Sequence, residues 1–141
     1  MPWIVIINVF SQHLFLKVTH ILSSVPPDEA GDPVLDRHGS DIAVLSPLLK
    51  WVGYLSTTGV YGDRGGGSVD ERSDREPSTV RGERRVVAED GWCGLWRDRG
   101  VPIHLFRLAG IYEPSRNALE TVRTGRAHRI VKPDQVFGRI H

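Results

Sequence analysis

Two segments of the chain run from an apolar stretch into a turn of small, hydroxyl-bearing or proline residues. Residues 54–63 read Tyr-Leu-Ser-Thr-Thr-Gly-Val-Tyr-Gly-Asp, and residues 107–114 read Arg-Leu-Ala-Gly-Ile-Tyr-Glu-Pro. In a parallel α/β sheet, small ligands bind at the carboxyl ends of the strands. Two strand ends of this composition therefore predict one shared site for a small ligand.

A second pattern with chemical meaning lies between these segments. Arg81, Arg85 and Glu89 follow one another at intervals of four residues, which places their side chains on one face of a helix. A guanidinium with a pKa above about 12 cannot exchange protons near neutral pH, but it can donate hydrogen bonds to a ribose or a phosphate. The alternative is a solvated helix face with weak ion pairs.

Together these segments resemble the atypical extended short-chain dehydrogenase/reductases, also called the NAD-dependent epimerase/dehydratase family. Family members carry a Ser or Thr four residues before the Tyr of a Val-Tyr-Gly turn, as Thr57 precedes Tyr61 here. Their next helix carries Tyr-x-x-x-Lys, and this chain has Arg81 and Arg85 at those positions. The resemblance implies that Thr57 positions the substrate and Arg85 holds the ribose. Arg81 stands where the family has its proton-transferring Tyr.

The resemblance also implies which residues contact a nicotinamide cofactor, NAD or NADP, and a substrate. The expected cofactor contacts are Ser24, Val25, Pro26, Ser56, Arg85, Leu108, Ala109 and Gly110. The expected substrate contacts are Thr58, Tyr112, Arg116 and Asn117. Small residues such as Ala109 and Gly110 would let a flat ring approach the backbone closely. Glu113 and Ser115 depart from the glycines that relatives usually have.

Each of these assignments has a structural alternative. Thr57 could tie off the end of a strand through a local backbone hydrogen bond. Ser24, which lies before Pro26 and Pro27, could be part of a strand terminator. Residues 107–117 could form a strand that ends in an ordinary turn.

Hydrophobic patterning predicts strands at residues 18–25, 48–56 and 101–109, with a long polar loop at 62–79. Helices are predicted at 33–45 after an Asp32 cap, from a cap at Ser78 or Thr79 to Arg99, and at 117–123. The 78–99 helix is expected to carry Val87, Ala88, Trp92, Leu95 and Trp96 on one side. This order is typical of α/β folds with a mostly parallel sheet.

The family resemblance makes this fold a partial Rossmann-like three-layer sandwich, with helices on the faces of the sheet. Residues 18–141 match a partial NAD(P)-binding domain without the first βαβ unit and the carboxyl-terminal substrate lobe, so the match is truncated at both ends. Residues 1–17 resemble nothing in the family and stay unassigned, and a divergent start, a misassigned start and a strand of unrelated origin are the alternatives.

Composition narrows the classes of partner. The chain has 141 residues, enough for one domain, and its formal net charge of +1 gives no reason to expect a nucleic acid or a membrane surface. Cys93 is the only cysteine and the six histidines lack metal-ligand spacing, so neither a disulfide nor a metal site is predicted. The apolar run from Trp3 to Phe10 is far shorter than the roughly 18 residues of a membrane span. We expect a cytoplasmic protein.

Two functional hypotheses follow. The first is an NAD(P)-dependent oxidoreductase or epimerase that transfers a hydride on a small-molecule or sugar-nucleotide substrate. The second is a non-catalytic nucleotide-binding or interaction protein derived from the same fold. The glycine-rich turn that receives the cofactor pyrophosphate is not among these residues, so we expect weak cofactor binding by the chain. We also expect self-association through exposed sheet edges.

Overall fold

The computed structural model describes residues 3–6, 18–114, 117–129, 131 and 138–140. Four strands form a parallel sheet in the order β1-β2-β3-β4: β1 (Trp3–Ile6), β2 (His20–Ser23), β3 (Trp51–Thr57) and β4 (Ile103–Leu108). The helices are α1 (Pro33–Val44), α2 (Val80–Arg99) and α3 (Ala118–Arg123), and a small second sheet pairs β5 (Gly110–Ile111) with β6 (Arg139–Ile140). The predicted α/β class with a parallel sheet is confirmed.

The strand register brings the strand ends to one edge of the sheet. Ser23 in β2 pairs with Tyr54 in β3, and Thr57 at the end of β3 pairs with Leu108 at the end of β4. Consecutive strands are neighbours, so the residues that follow β2, β3 and β4 all emerge at this edge. Within segment 1–17 the structure has a strand, one of the three alternatives for this segment. Its parallel pairing with β2 was not predicted.

Asp32 caps the start of helix α1, as the sequence predicts. The Asp32 carboxylate accepts hydrogen bonds from the amides of Val34 and Leu35 at 2.9 and 3.1 Å, and Pro33 takes the first helical position. A side-chain cap of this kind satisfies amides that lack partners within the helix. The buried face of α1 carries Val34, His38 and Ile42.

Helix α2 begins and ends as predicted, but its buried face differs from the prediction. The Thr79 hydroxyl accepts from the amide of Gly82, and Gly100 ends the helix with a φ of 68°, a left-handed conformation that suits glycine. The buried residues are Gly82, Arg85, Ala88, Glu89 and Trp92.

The prediction that Val87 and Trp96 share the apolar side of α2 is wrong, because they are 67% and 60% exposed. The interpretation of Arg85 and Glu89 as solvated is wrong as well. Both side chains are buried because each finds hydrogen-bonding partners on the sheet. Apolar patterning alone cannot anticipate such a face.

The core lies between the sheet and the two long helices. Tyr54 from β3 stacks on Trp92 from α2 with ring centroids 5.5 Å apart, and both side chains are fully buried. The Trp92 indole donates to the Asp32 carboxylate at 2.9 Å, so the residue that caps α1 also holds α2. This packing fixes the middle of α2 against β3.

Element boundaries deviate from the prediction mainly at strand starts. Strand β3 begins at Trp51 rather than Leu48, because the amides of Leu48 and Leu49 bond back to the Leu45 carbonyl and continue the helix end as turns. Strands β2 and β4 are shorter than the predicted 18–25 and 101–109. Residues 62–79 contain no helix or strand, as predicted. Helix α3 begins one residue later than the predicted 117–123, because Asn117 caps it.

Among the residues that the structure describes, none of the helices combines the length and the apolar character that a bilayer crossing requires.

Candidate functional site

A cleft of about 550 Å³ opens where β2, β3 and β4 end, beside the start of α2. This volume lies in the range of small-molecule and cofactor sites. Its lining comes from three strand ends, the turn after β3 and the first two turns of α2: Ser24, Pro26, Leu55, Ser56, Thr57, Gly59, Thr79, Arg81, Gly82, Arg85, Leu108, Ala109, Gly110 and Ile111.

Most of the residues predicted to form the site line this cleft. They are Ser24, Pro26, Ser56, Thr57, Arg81, Arg85, Leu108, Ala109 and Gly110. The lining does not include Val25, which packs against the hydrophobic core, or Thr58, which begins a 3₁₀ turn. It also omits Tyr112 and Asn117, and Asn117 caps α3 through a 2.9 Å bond from the Glu120 amide. Arg116 lies outside the described residues.

Thr57 combines a local role with a position on the cleft wall. Its hydroxyl oxygen accepts a 3.1 Å hydrogen bond from the Gly59 amide and so caps the 3₁₀ turn Thr58–Tyr61, as the structural alternative anticipates. A hydroxyl can donate one hydrogen bond while it accepts others. Among the described residues, the structure gives the Thr57 hydroxyl hydrogen no acceptor, so it can serve a ligand in the cleft.

Arg85 is held rigidly at the inner side of the cleft. Its Nη1 donates to the Tyr54 hydroxyl at 3.0 Å and to the Leu55 carbonyl at 2.6 Å, and its side chain is 8% exposed. Burial raises the pKa of Tyr54 to about 12, although the charge of Arg85 acts in the opposite direction. Tyr54 therefore stays neutral at physiological pH and orients the guanidinium.

Arg81 lies one helical turn before Arg85 and is exposed at the mouth of the cleft. In the described part of the chain, no carboxylate pairs with Arg81 or Arg85. Arg84, on the same helix, does pair with a carboxylate, that of Glu29 at 3.6 Å. Two guanidinium groups therefore line the cleft without a paired carboxylate from the described residues.

Glu89 is fully buried behind the cleft, and its carboxylate holds the surrounding elements together. It accepts from the Ser56 hydroxyl at 2.6 Å, from Arg107 Nη2 at 2.8 Å and from Arg75 Nη1 at 3.2 Å. Arg107 also donates to the Tyr61 hydroxyl at 2.7 Å. The carboxylate of Glu89 thus ties the end of β3, the 3₁₀ turn, the 62–79 loop and β4 together.

The charges in this network reinforce one another. Hydrogen bonds to Glu89 raise the pKa of Arg107 above its ordinary value, and hydrogen bonds to Asp90 and Glu89 raise the pKa of Arg75. This network was not predicted from the sequence. Arg107 in the mostly apolar strand Ile103–Leu108 was the available signal, because a charge that enters a sheet needs a counter-ion.

Solved structures of known proteins share this architecture. A functionally unknown conserved protein from Silicibacter pomeroyi is 48% identical with a TM-score of 0.77, over 88% of this chain and 43% of that protein. The dTDP-glucose 4,6-dehydratase from Bacillus anthracis, solved with NAD, is 17% identical with a TM-score of 0.59, over 77% of this chain and 38% of that enzyme. The UDP-glucuronic acid 4-epimerase from Bacillus cereus, also solved with NAD, is 18% identical with a TM-score of 0.57, over 76% of this chain and 37% of that enzyme.

The chain has a Rossmann-like fold. It spans less than half the length of each of these three proteins. No protein-family model and no curated protein matches it. The likeness to the two enzymes is a likeness of fold alone.

Those residues restrict the chemistry that the cleft can perform. In the described part of the chain, no group of three or more His, Cys, Asp or Glu side chains could hold a metal ion. The described lining contains no His, Asp, Glu, Cys, Lys or Tyr, the side chains that usually act as general acids or bases. The cleft offers hydroxyl groups, guanidinium groups and closely approachable backbone.

Proposed function

We propose that this cleft binds the nicotinamide-ribose half of an NAD(P) cofactor and an adjoining substrate, as in the NAD-dependent epimerase/dehydratase family of oxidoreductases. One observation carries the proposal: Ser24, Thr57, Arg85 and Gly110, predicted from separate segments, all line one cleft. The Rossmann-like fold supports it, since such folds bind ligands outside the carboxyl ends of their strands.

The residues present fit one half of the cofactor. Arg85 offers fixed donors for ribose hydroxyl groups, and the small residues Ala109 and Gly110 leave room for a flat ring against the backbone. The pyrophosphate half has no such fit in the described part of the chain, where no strand, glycine-rich turn and helix follow one another in that order. Weak binding of the whole dinucleotide is the expected consequence.

Within this proposal Thr57 positions the substrate. Its hydroxyl donates to a carbonyl or hydroxyl oxygen and so holds the reacting carbon near the nicotinamide. The cofactor supplies hydride transfer when it is bound. Ser56, tied to Glu89, keeps the end of β3 in place so that Thr57 faces the cleft.

A second candidate function is favoured by a specific observation. Arg81 cannot exchange a proton near neutral pH, and the described lining contains no other ordinary general acid or base. These facts favour a nucleotide-binding protein that performs no proton transfer. The two candidates share the same cleft and differ in whether substrate turnover accompanies binding.

The test is a two-dimensional ¹H–¹⁵N NMR titration with reduced nicotinamide riboside, which carries the ring and ribose without a phosphate. We expect saturable shifts confined to amides of the cleft, such as those of Thr57, Gly59, Gly82 and Gly110. Thr57→Val should weaken binding of an added carbonyl compound by about fivefold, the contribution of one hydrogen bond, whereas Thr57→Ser should not. Shifts spread over α1, or none at all, would contradict the proposal.

A further inference from the structure

Two positive charges line the cleft, and no carboxylate of the described chain pairs with either of them. Arg81 and Arg85 both line it and lie one turn apart on α2, where like charges disfavour the helix. Thr79 and Gly82 also line it, so the amino-terminal end of α2, with its partial positive charge, lies there too. The described lining contains no acidic residue.

Five other arginines of the described chain have a carboxylate partner. Arg64, Arg75, Arg84, Arg107 and Arg123 each pair with a carboxylate at 4 Å or less. Arg85 is buried but has no carboxylate partner among the described residues. Solvent and salt screen a buried charge less than an exposed one. Its hydrogen bonds to Tyr54 and Leu55 hold the guanidinium but do not neutralise it, and a buried charge is costly without a counter-charge. The partner that fits is an anion in the cleft.

We propose that Arg81 and Arg85 together bind an oxyanion group, a phosphate or a carboxylate, of the ligand that occupies this cleft. The proposal deepens the proposed function by naming the substrate class, and it rests on the same cleft. Guanidinium groups suit this task because their planar donor arrays match both oxyanions. Tyr54 and Leu55 occupy only Nη1 of Arg85, so its remaining N–H groups suffice for a ribose hydroxyl group and the anion together. Exposed Arg81 closes on the anion from the mouth of the cleft.

This assignment explains why a cation occupies the position of the family's proton-transferring Tyr. At this position Arg81 would recognise a charged substrate instead of transferring a proton. Substrates without an anionic group near the reacting carbon would then bind poorly. An ordinary solvated arginine would instead behave like Arg84, whose charge is on the same helix outside the cleft.

The experiment titrates the folded chain with inorganic phosphate and with acetate, at constant ionic strength made up with chloride, and follows arginine Nε–Hε and backbone amide signals by NMR. We expect saturable shifts at Arg81, Arg85 and Gly82. The stronger of the two anions identifies the source of the oxyanion. Arg81→Ala should weaken that binding by about tenfold, as expected for loss of one charge-assisted hydrogen bond.

Arg84→Ala is the matched control, because it removes the same charge from the same helix outside the cleft. It should change the affinity by less than about twofold, since its charge is exposed and paired. Arg85→Lys keeps the buried charge but loses the planar donor fork, and it should weaken binding while the chain stays folded. Equal weakening by Arg81→Ala and Arg84→Ala, or no saturable binding of either anion, would overturn the proposal.

Parallel titration with reduced nicotinamide riboside separates the two proposals, because that probe carries no anionic group. Anion binding that depends on Arg81 without riboside binding would support the oxyanion site and contradict the proposed function. Riboside binding without Arg81-dependent anion binding would do the reverse.

Discussion

Single side chains behind the cleft decide its shape more than those on its rim. Glu89 is wholly buried and receives donors from Ser56, Arg75 and Arg107. Neutralising it would leave two guanidinium groups without a buried counter-charge. Glu89 is therefore a structural anchor of the site and does not line the cleft.

Glu89→Gln should lower the free energy of unfolding by about 3–5 kcal/mol, the usual cost of breaking a buried ion pair. Asp90→Asn is the matched control, because Asp90 is a half-exposed partner of the same Arg75. It should cost less than about 1 kcal/mol. Urea unfolding followed by tryptophan fluorescence measures both, and similar losses in the two variants would show that Glu89 does not anchor the site.

Tyr54 makes stability depend on pH in the alkaline range. Its pKa is raised from 10.0 to about 12 chiefly by burial, so the folded chain holds the phenol proton more tightly than the unfolded chain. Its contribution is intact below about pH 10 and falls as the pH rises from about 10 to about 12, by at most about 3 kcal/mol.

Comparing urea unfolding at about pH 9 and about pH 12 in the wild type and in Tyr54→Phe isolates this term, since other alkaline groups titrate in both proteins. The variant should lose less stability over that interval. An equal loss in both would mean that Tyr54 titrates alike in the folded and unfolded chain.

Strand register makes one feature of the cleft predictable from the sequence, namely which strand ends lie next to each other. Thr57 and Gly110 could be expected together because residues after neighbouring parallel strands emerge at one edge. The partners of Glu89 could not, because Arg75 reaches it from an irregular loop and Arg107 from another strand. No local periodicity encodes either contact.

At the scale of elements, the cleft depends on how closely α2 approaches the 3₁₀ turn Thr58–Tyr61. Gly82 makes this possible, since a Cβ there would lie 2.8 Å from the Gly59 carbonyl oxygen and 2.8 Å from Pro77 Cβ. Both distances are too short for a side chain to fit without moving the turn. The end of β3 and the start of α2 are therefore set by one close contact.

Gly82→Ala should cancel or reverse the gain of about 1 kcal/mol that alanine normally brings to a helix, because overpacking costs about 1–3 kcal/mol. Gly94→Ala is the control on the same helix, where a Cβ would meet nothing within 4 Å. Thermal unfolding should show a higher midpoint for Gly94→Ala alone. A comparable rise in both variants would mean that the turn yields freely.

Helix limits were predictable at this scale because Asp32, Thr79, Gly100 and Asn117 carry the chemistry of helix ends in their side chains or backbone. The buried face of α2 was not. Its polar residues are inside because of tertiary pairing, which overrides the apolar pattern.

For the whole molecule, the order of strands and helices predicted a parallel α/β sheet. A strand within residues 1–17 was one of three alternatives, and its place beside β2 was not predicted because the segment has no counterpart in the family resemblance. In the described part of the chain, β4 pairs only with β3, so its other edge is unpaired. Phe106 on this strand is 40% exposed. An unpaired strand with an exposed aromatic residue favours association between copies.

We therefore expect concentration-dependent self-association, measured by sedimentation velocity. Phe106→Lys should reduce it, because charge on an edge strand opposes pairing with another chain. Leu119→Lys, an exposed position on α3, serves as the control and should leave it unchanged. A monomer at every concentration, or equal effects of the two variants, would contradict this expectation.

The proposed function depends on three strand ends forming one ligand site. Intermolecular nuclear Overhauser effects between the ring protons of reduced nicotinamide riboside and the methyl groups of the chain test this most directly. We predict effects to the methyl groups of both Thr57 and Ala109, from β3 and from the residue after β4. Effects to Ala43 and Leu95 in the groove between α1 and α2, without any to Thr57 and Ala109, would contradict it.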